Sequence, residues 1–169
     1  MAWSFPDDVL QRAAEVRLLI LDVDGVLTDG RLYYGPEGEV LKVFNAQDGH
    51  AIKSLRAAGI PSAIISGRSS PMVRFRAQEL GIEHLWLGVD NKVPALDELA
   101  LNTGIALSEM AHMGDDQPDL PLFARVGMSF APANAHPEVR DAAHYNTRAG
   151  GGEGAVCEVC ALLQAARQL

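Results

Sequence analysis

The sequence has 169 residues, 48% of them hydrophobic and 21% charged, with a formal net charge of -8 at pH 7. This length fits one domain with its own core rather than two, and the composition argues against disorder. The acidic balance disfavours nucleic-acid binding, so phosphate chemistry would need positive charge from a metal and a few Lys or Arg residues.

Met1 to Leu10 carry two acids and no long apolar run, so no secretory signal is expected there. No stretch reaches the roughly 18 apolar residues of a membrane span. The expected location is cytoplasmic, with reduced thiols. Buried strands are predicted over Leu18–Val23, Ser62–Ser66, His84–Leu87, Met110–Met113 and Val126–Phe130. Helical spacing lies between them. Asp48–Ala58 places Ala51, Ile52 and Leu55 on one face and ends at Gly59. Pro71–Leu80 ends at Gly81, and Val93–Asn102 ends near Gly104. Each glycine stands where a helix end favours a left-handed residue. Apolar strands separated by helices predict an α/β fold, a parallel sheet covered on both faces.

One segment departs from this alternation. Residues 31–44, RLYYGPEGEVLKVF, alternate apolar and polar about a Gly-Pro-Glu-Gly turn and predict a projecting β-hairpin. The domain spans 1–169, with a C-terminal tail at 148–169. In that tail Gly150–Gly152 precede a helix, read either as a mobile arm reaching a neighbouring subunit or as a plain flexible connection. Cys157 and Cys160 fall in an Ala/Leu/Val helical pattern and are read as buried thiols.

The first strand delivers the chain to Asp22-Val23-Asp24-Gly25. Asp22 and Asp24 face the same way on an extended chain. Two carboxylates at the mouth of an apolar strand repel unless a cation neutralises them, and oxygen ligands suit a hard cation. A calcium loop would need Glu at its twelfth position, where Tyr33 stands counting from Asp22. Acids capping a turn are the alternative for this motif alone. Ser66-Gly67 offers a hydroxyl and an open N–H to an anion, although serine at a turn is also an ordinary structural residue. Lys92 precedes a helix, where it opposes the macrodipole unless it meets an anion. Its alternative is a solvated surface lysine. Asp115, Asp116 and Asp119 crowd another strand end. Capping explains one of them more easily than all three.

Together DVDGVLTDG at 22–30, ISGR at 65–68, Lys92 and GDDQPD at 114–119 resemble the haloacid dehalogenase-like superfamily. A closer resemblance, through FNAQDGHAIKSL at 44–55, GRSSP at 67–71, GDDQPDLPLF at 114–123, ANAHPEV at 133–139 and GGGEGAVCEVC at 150–160, is to its small capless phosphatases of 3-deoxy-D-manno-octulosonate 8-phosphate (KDO 8-phosphate). The resemblance implies a three-layer, doubly wound, Rossmann-like fold without a cap domain, and a homotetramer in which the hairpin supplies contact. It implies that Asp22 is the nucleophile and Asp24 the general acid and base. Mg²⁺ would be held by the Asp22 carboxylate, the Asp24 backbone carbonyl and Asp115. Ser66, Gly67 and Lys92 would hold phosphate, while Asp116 and Asp119 orient water or Lys92. Asp48, His50, Arg68 and Arg76 are the implied contacts to the sugar acid, with Arg74 a further cation nearby. His84, His112 and His144 are read as packing residues. Gln47 and Cys157 stand where that family usually has arginine, which bears on recognition of a substrate carboxylate. Three alternatives follow: a phosphatase for a nine-carbon sialic-acid-type phosphate, a non-catalytic assembly domain, and a regulatory module that binds phosphate or metal. A substrate panel separates the first, and an Asp22→Asn exchange the others.

Overall fold

A computed structural model describes residues 3–168. The chain runs through α1 (Asp7–Ala13), β1 (Leu18–Leu21), a hairpin of β2 (Tyr33–Gly35) and β3 (Gly38–Leu41), α2 (Ala46–Ala57), β4 (Ser62–Ser66) and α3 (Pro71–Leu80). It continues through β5 (His84–Leu87), α4 (Val93–Thr103), β6 (Met110–Met113), α5 (Leu120–Phe123), β7 (Met128–Ala131), α6 (Pro137–Ala142), β8 (Tyr145–Asn146) and α7 (Ala155–Ala166).

Six strands form one parallel sheet in the order β5-β4-β1-β6-β7-β8, and the hairpin is a separate two-stranded sheet. β1 is buried along its length. Its side chains alternate: Leu19 and Leu21 pack with α1, α2, α3 and α7, and Leu18 and Ile20 pack with α4 and α5. That two-residue repeat makes the three-layer architecture. From β1 the chain builds outward through β4 and β5, then crosses to β6 on the other side. The switch point lies beside the carboxyl end of β1, where open α/β sheets bind ligands. No described helix is long and apolar enough to cross a membrane.

The expected elements form with small shifts of boundary. β4, β5, β6 and α3 keep the bounds read from sequence. Helix α2 starts earlier, at Ala46, because the Asn45 side chain accepts the N–H groups of Gln47 and Asp48. β7 starts later, at Met128, because Val126 and Gly127 close the preceding turn onto the carbonyls of Leu122 and Met110. α1 and the edge strand β8 lie outside the elements read from sequence.

One expectation is overturned. The C-terminal segment is no free arm. Val156, Val159, Leu162 and Leu163 of α7 are fully buried against the sheet and α2. At about 1.5–3 kcal/mol per buried aliphatic side chain, they contribute on the order of the net stability of a domain. Cys160 is buried with them, while Cys157 is only half-buried.

Candidate active site

The loops that leave β1, β4 and β6 meet over the switch point. They line a cavity of about 340 Å³ whose walls include Asp22, Asp24, Ser66, Gly67, Arg68, Lys92 and Asp115. The Asp22 N–H extends the ladder by donating to the Met113 carbonyl at 3.0 Å, which fixes its carboxylate at the floor. The chain then turns at Gly25, with φ +90°, where an added Cβ would collide with the Asp115 carboxylate. Only glycine permits that approach between the two acidic loops.

Asp119 organises the floor. Its Oδ1 accepts from Lys92 Nζ at 2.7 Å and from His112 Nε2 at 2.9 Å. Its Oδ2 accepts the backbone N–H groups of Asp115 at 3.1 Å and Asp116 at 3.3 Å. Burial alone would raise this carboxyl, but His112 and Lys92 outweigh burial and hold it below the usual carboxylate range. A carboxylate only accepts, so His112 donates from Nε2. Lys92 Nζ also lies 3.2 Å from Asp22 Oδ1. Burial pushes the Lys92 ammonium down, yet Asp22 and Asp119 prevail and the net shift is upward.

Two other acids are pushed upward. Asp22 is raised to about 6 by burial and then by Asp119, against the pull of Lys92. Asp115 is raised to about 8 by burial and then by Asp22, Asp119 and Asp116. Asp115 Oδ1 is buried with no hydrogen-bond partner. Oxygens of Asp22, Asp115 and Asp119 lie within 4.8 Å of one another. An orphaned buried oxygen between acids pushed upward is what a hard dication would correct. The residues therefore fit such an ion. Asp22 and Asp115 have oxygens available for it, whereas those of Asp119 are already saturated by four donors.

Asp24 finds its partners outside this trio. Its Oδ1 lies 2.5 Å from Lys42 Nζ, which also pairs with Glu39 at 2.8 Å. Its Oδ2 is 3.8 Å from Arg68 Nε. The Arg68 guanidinium bonds to the Tyr34 hydroxyl of the hairpin and stands over that ring. Leu32, at the base of the hairpin, lines the cavity.

The structure gathers Asp22, Asp24, Ser66, Gly67, Arg68, Lys92 and Asp115 in one place. Asp116 and Asp119 line the same cavity, where Asp116 caps a turn, its Oδ1 accepting the Gln117 N–H at 2.8 Å. Other expected residues stand elsewhere. Asp48 is buried beneath α7, where its Oδ1 accepts the Cys157 N–H at 2.8 Å. Arg76 lies over the Phe44 ring and bonds to Glu79 and the Asn45 carbonyl. His50 is exposed on α2. Asp48, Arg76 and His50 do not line this cavity. Lys42, Glu39 and His112 escaped the sequence reading as site residues. A titratable residue in the apolar strand Met110–Met113, which ends at an acidic motif, was the available sign for His112.

A strand-end nucleophile candidate, a lysine and an acidic pair on a doubly wound sheet define the haloacid dehalogenase-like hydrolases, and a family model of that description matches residues 88–156. The chain is 49% identical over 157 residues to the KDO 8-phosphate phosphatase KdsC of Yersinia pestis, covering 93% of this chain and 84% of that protein. With the corresponding protein of Escherichia coli K12 it shares 48% identity over 156 residues, covering 92% and 83%. A solved KDO 8-phosphate phosphatase from Moraxella catarrhalis, in complex with magnesium ion, phosphate ion and KDO, superposes with a TM-score of 0.93 at 42% identity, covering 97% and 94% of the two chains. A cobalt-bound homologue from Haemophilus influenzae gives 0.91 at 40% identity, covering 94% and 92%. The chain belongs to the KDO 8-phosphate phosphatase family of haloacid dehalogenase-like hydrolases.

Proposed function

We propose that this chain is a Mg²⁺-dependent phosphomonoesterase that hydrolyses KDO 8-phosphate to KDO and phosphate through a phosphorylated Asp22. The observation that carries the reading is the orphaned Asp115 oxygen beside Asp22 and Asp119, an arrangement suited to one dication. It matches a relative solved with magnesium, phosphate and KDO.

Mg²⁺ held by Asp22 and Asp115 would offset the repulsion between a carboxylate nucleophile and a phosphate dianion. Asp22 attacks phosphorus with the oxygen left free. The bond from phosphorus to the sugar oxygen breaks as Asp24 delivers its proton to that oxygen. Lys92, the Ser66 hydroxyl and the Gly67 N–H steady the phosphoryl oxygens, where preorganised donors act on developing charge. Asp24 then takes a proton from water, the water oxygen attacks phosphorus, and Asp22 is released with inorganic phosphate. Splitting one displacement into two is the gain from a covalent nucleophile. Arg68, at the cavity mouth, is the cation available to the sugar-acid carboxylate. The exposed apolar side chains of the hairpin support assembly into a homotetramer.

Metal-dependent phosphate release from KDO 8-phosphate, set against hexose phosphates, tests the substrate. Equal turnover of the hexose esters would overturn it. Asp22→Asn should lose about 10³-fold or more in kcat while keeping its fold. A smaller loss would remove Asp22 as nucleophile.

A further inference from the structure

The hairpin inverts the usual order of burial. Leu32, Tyr34, Val40, Leu41 and Val43 are 42% to 61% exposed. The Lys42 side chain among them is 2% exposed. Burying an ammonium is costly unless partners compensate it closely. Here Asp24 and Glu39 do so, at 2.5 Å and 2.8 Å. The Glu39 side chain is itself only 14% exposed, and its Oε1 meets the cation as an ion pair without hydrogen-bond geometry. Neither Lys42 nor Glu39 lines the cavity. The other cation near Asp24 is Arg68, 3.8 Å away and 43% exposed, where solvent weakens the pair.

We propose that Lys42, clamped by Glu39, is a positioning residue that fixes the Asp24 carboxyl for proton transfer to the leaving oxygen. The inference rests on the reading of Asp24 as proton donor. Such transfer needs a heavy-atom reach of about 2.6–3.2 Å. A carboxyl released from Lys42 can swing out of that range, and a misplacement of about 1 Å costs on the order of 10²-fold. The hairpin would then carry a catalytic support inward while its apolar side chains face outward.

The test compares two esters in the first turnover with excess enzyme, saturating Mg²⁺ and release of the alcohol as signal. KDO 8-phosphate has an alkoxide leaving group that needs a proton, whereas p-nitrophenyl phosphate needs little help. Lys42→Met should slow the sugar ester about 10- to 100-fold, with KM changed less than about threefold, and slow the aryl ester less than about fivefold. Lys42→Arg should recover part of the loss. Equal slowing of both esters, a loss confined to KM, or no loss would overturn the proposal. If Lys42→Met fails to fold, Glu39→Gln decides by the same ratio, with a smaller loss expected. Asp24→Asn is the control. If it shows no leaving-group dependence, the role of Asp24 fails. If it does while the Lys42 variants do not, only the present inference fails.

Discussion

Asp119→Asn puts the floor of the site to a direct test. The native carboxylate takes four donors on two oxygens, at 2.7 Å to 3.3 Å. Asparagine keeps one oxygen. Whichever way it is turned, its amide N–H groups face donors, either Lys92 and His112 or the backbone of Asp115 and Asp116. Lys92, with 3% of its side chain exposed, would keep only Asp22 as a counter-ion. Breaking a buried pair from one side costs about 3–5 kcal/mol. One effect opposes the loss: Asp119 raises Asp22 and Asp115, and its removal relieves both. That repulsion is relieved in native protein by Lys92 and a cation, so the broken pair should dominate. The melting temperature should fall by roughly 6–20 °C, at about 2–4 °C per kcal/mol for a domain of this size. Thermal and urea unfolding with both proteins saturated with Mg²⁺ measure it, and the linear urea slope shows whether the compactness of either state has changed. A loss below about 1 kcal/mol would refute the hub argument, since that is within the range of an ordinary neutral hydrogen bond.

Metal and pH are linked through the same acids. Metal-free, Asp115 titrates near 8 and Asp22 near 6 when folded, both above the ordinary 3.8, so the folded chain binds more protons than the unfolded one. Stability without metal should therefore fall as pH rises from about 4 to about 8. Mg²⁺ at about 100 times its Kd should restore about 2.7 kcal/mol, and its affinity should rise with pH up to about 8 as Asp115 sheds its proton. Isothermal titration and melts at several pH values check this, and a pH-independent affinity would count against Asp115 as a ligand. Gly151→Ala should destabilise by about 1–3 kcal/mol and lower kcat, because its Cβ would lie 2.8 Å from the Thr28 carbonyl oxygen and run into that of Gly25. Unchanged melting would show that the loop gives way freely.

Much of the architecture was legible because local signals agreed. Gly81 and Gly104 end α3 and α4 in left-handed conformations, as their positions after apolar periodicity predict. The largely apolar, wholly buried runs of β1, β4 and β6 mark a sheet covered on both faces. α1 and β8 were missed because neither carries a strong period: α1 has Val9 and Ala13 as its buried residues, and β8 has two residues. At the site, acids at strand ends could be read directly, since the strands carry them to one edge. Lys42 could not, because in VLKVF it reads as the polar partner in an ordinary alternating strand, and only its long-range pairing with Asp24 gives it meaning. Asp48 misled for a similar reason: nothing nearby in sequence reveals that its oxygen caps a helix that begins at Ala155.

The glycine loop before α7 has a bearing on when this protein becomes competent. Gly152 donates to the Val26 carbonyl at 3.0 Å, and the Asn45 side chain reaches the Gly152 carbonyl across 107 residues of sequence. Asp48 meets Cys157 across 109. Closing such long loops is slow and is rewarded only once both ends have arrived. On the ribosome, β1 and its neighbours can pair while the turn after Asp22 still lacks its brace. The glycine loop sets that turn, so turnover should report that synthesis has passed residue 152 and that both halves of the chain have found each other.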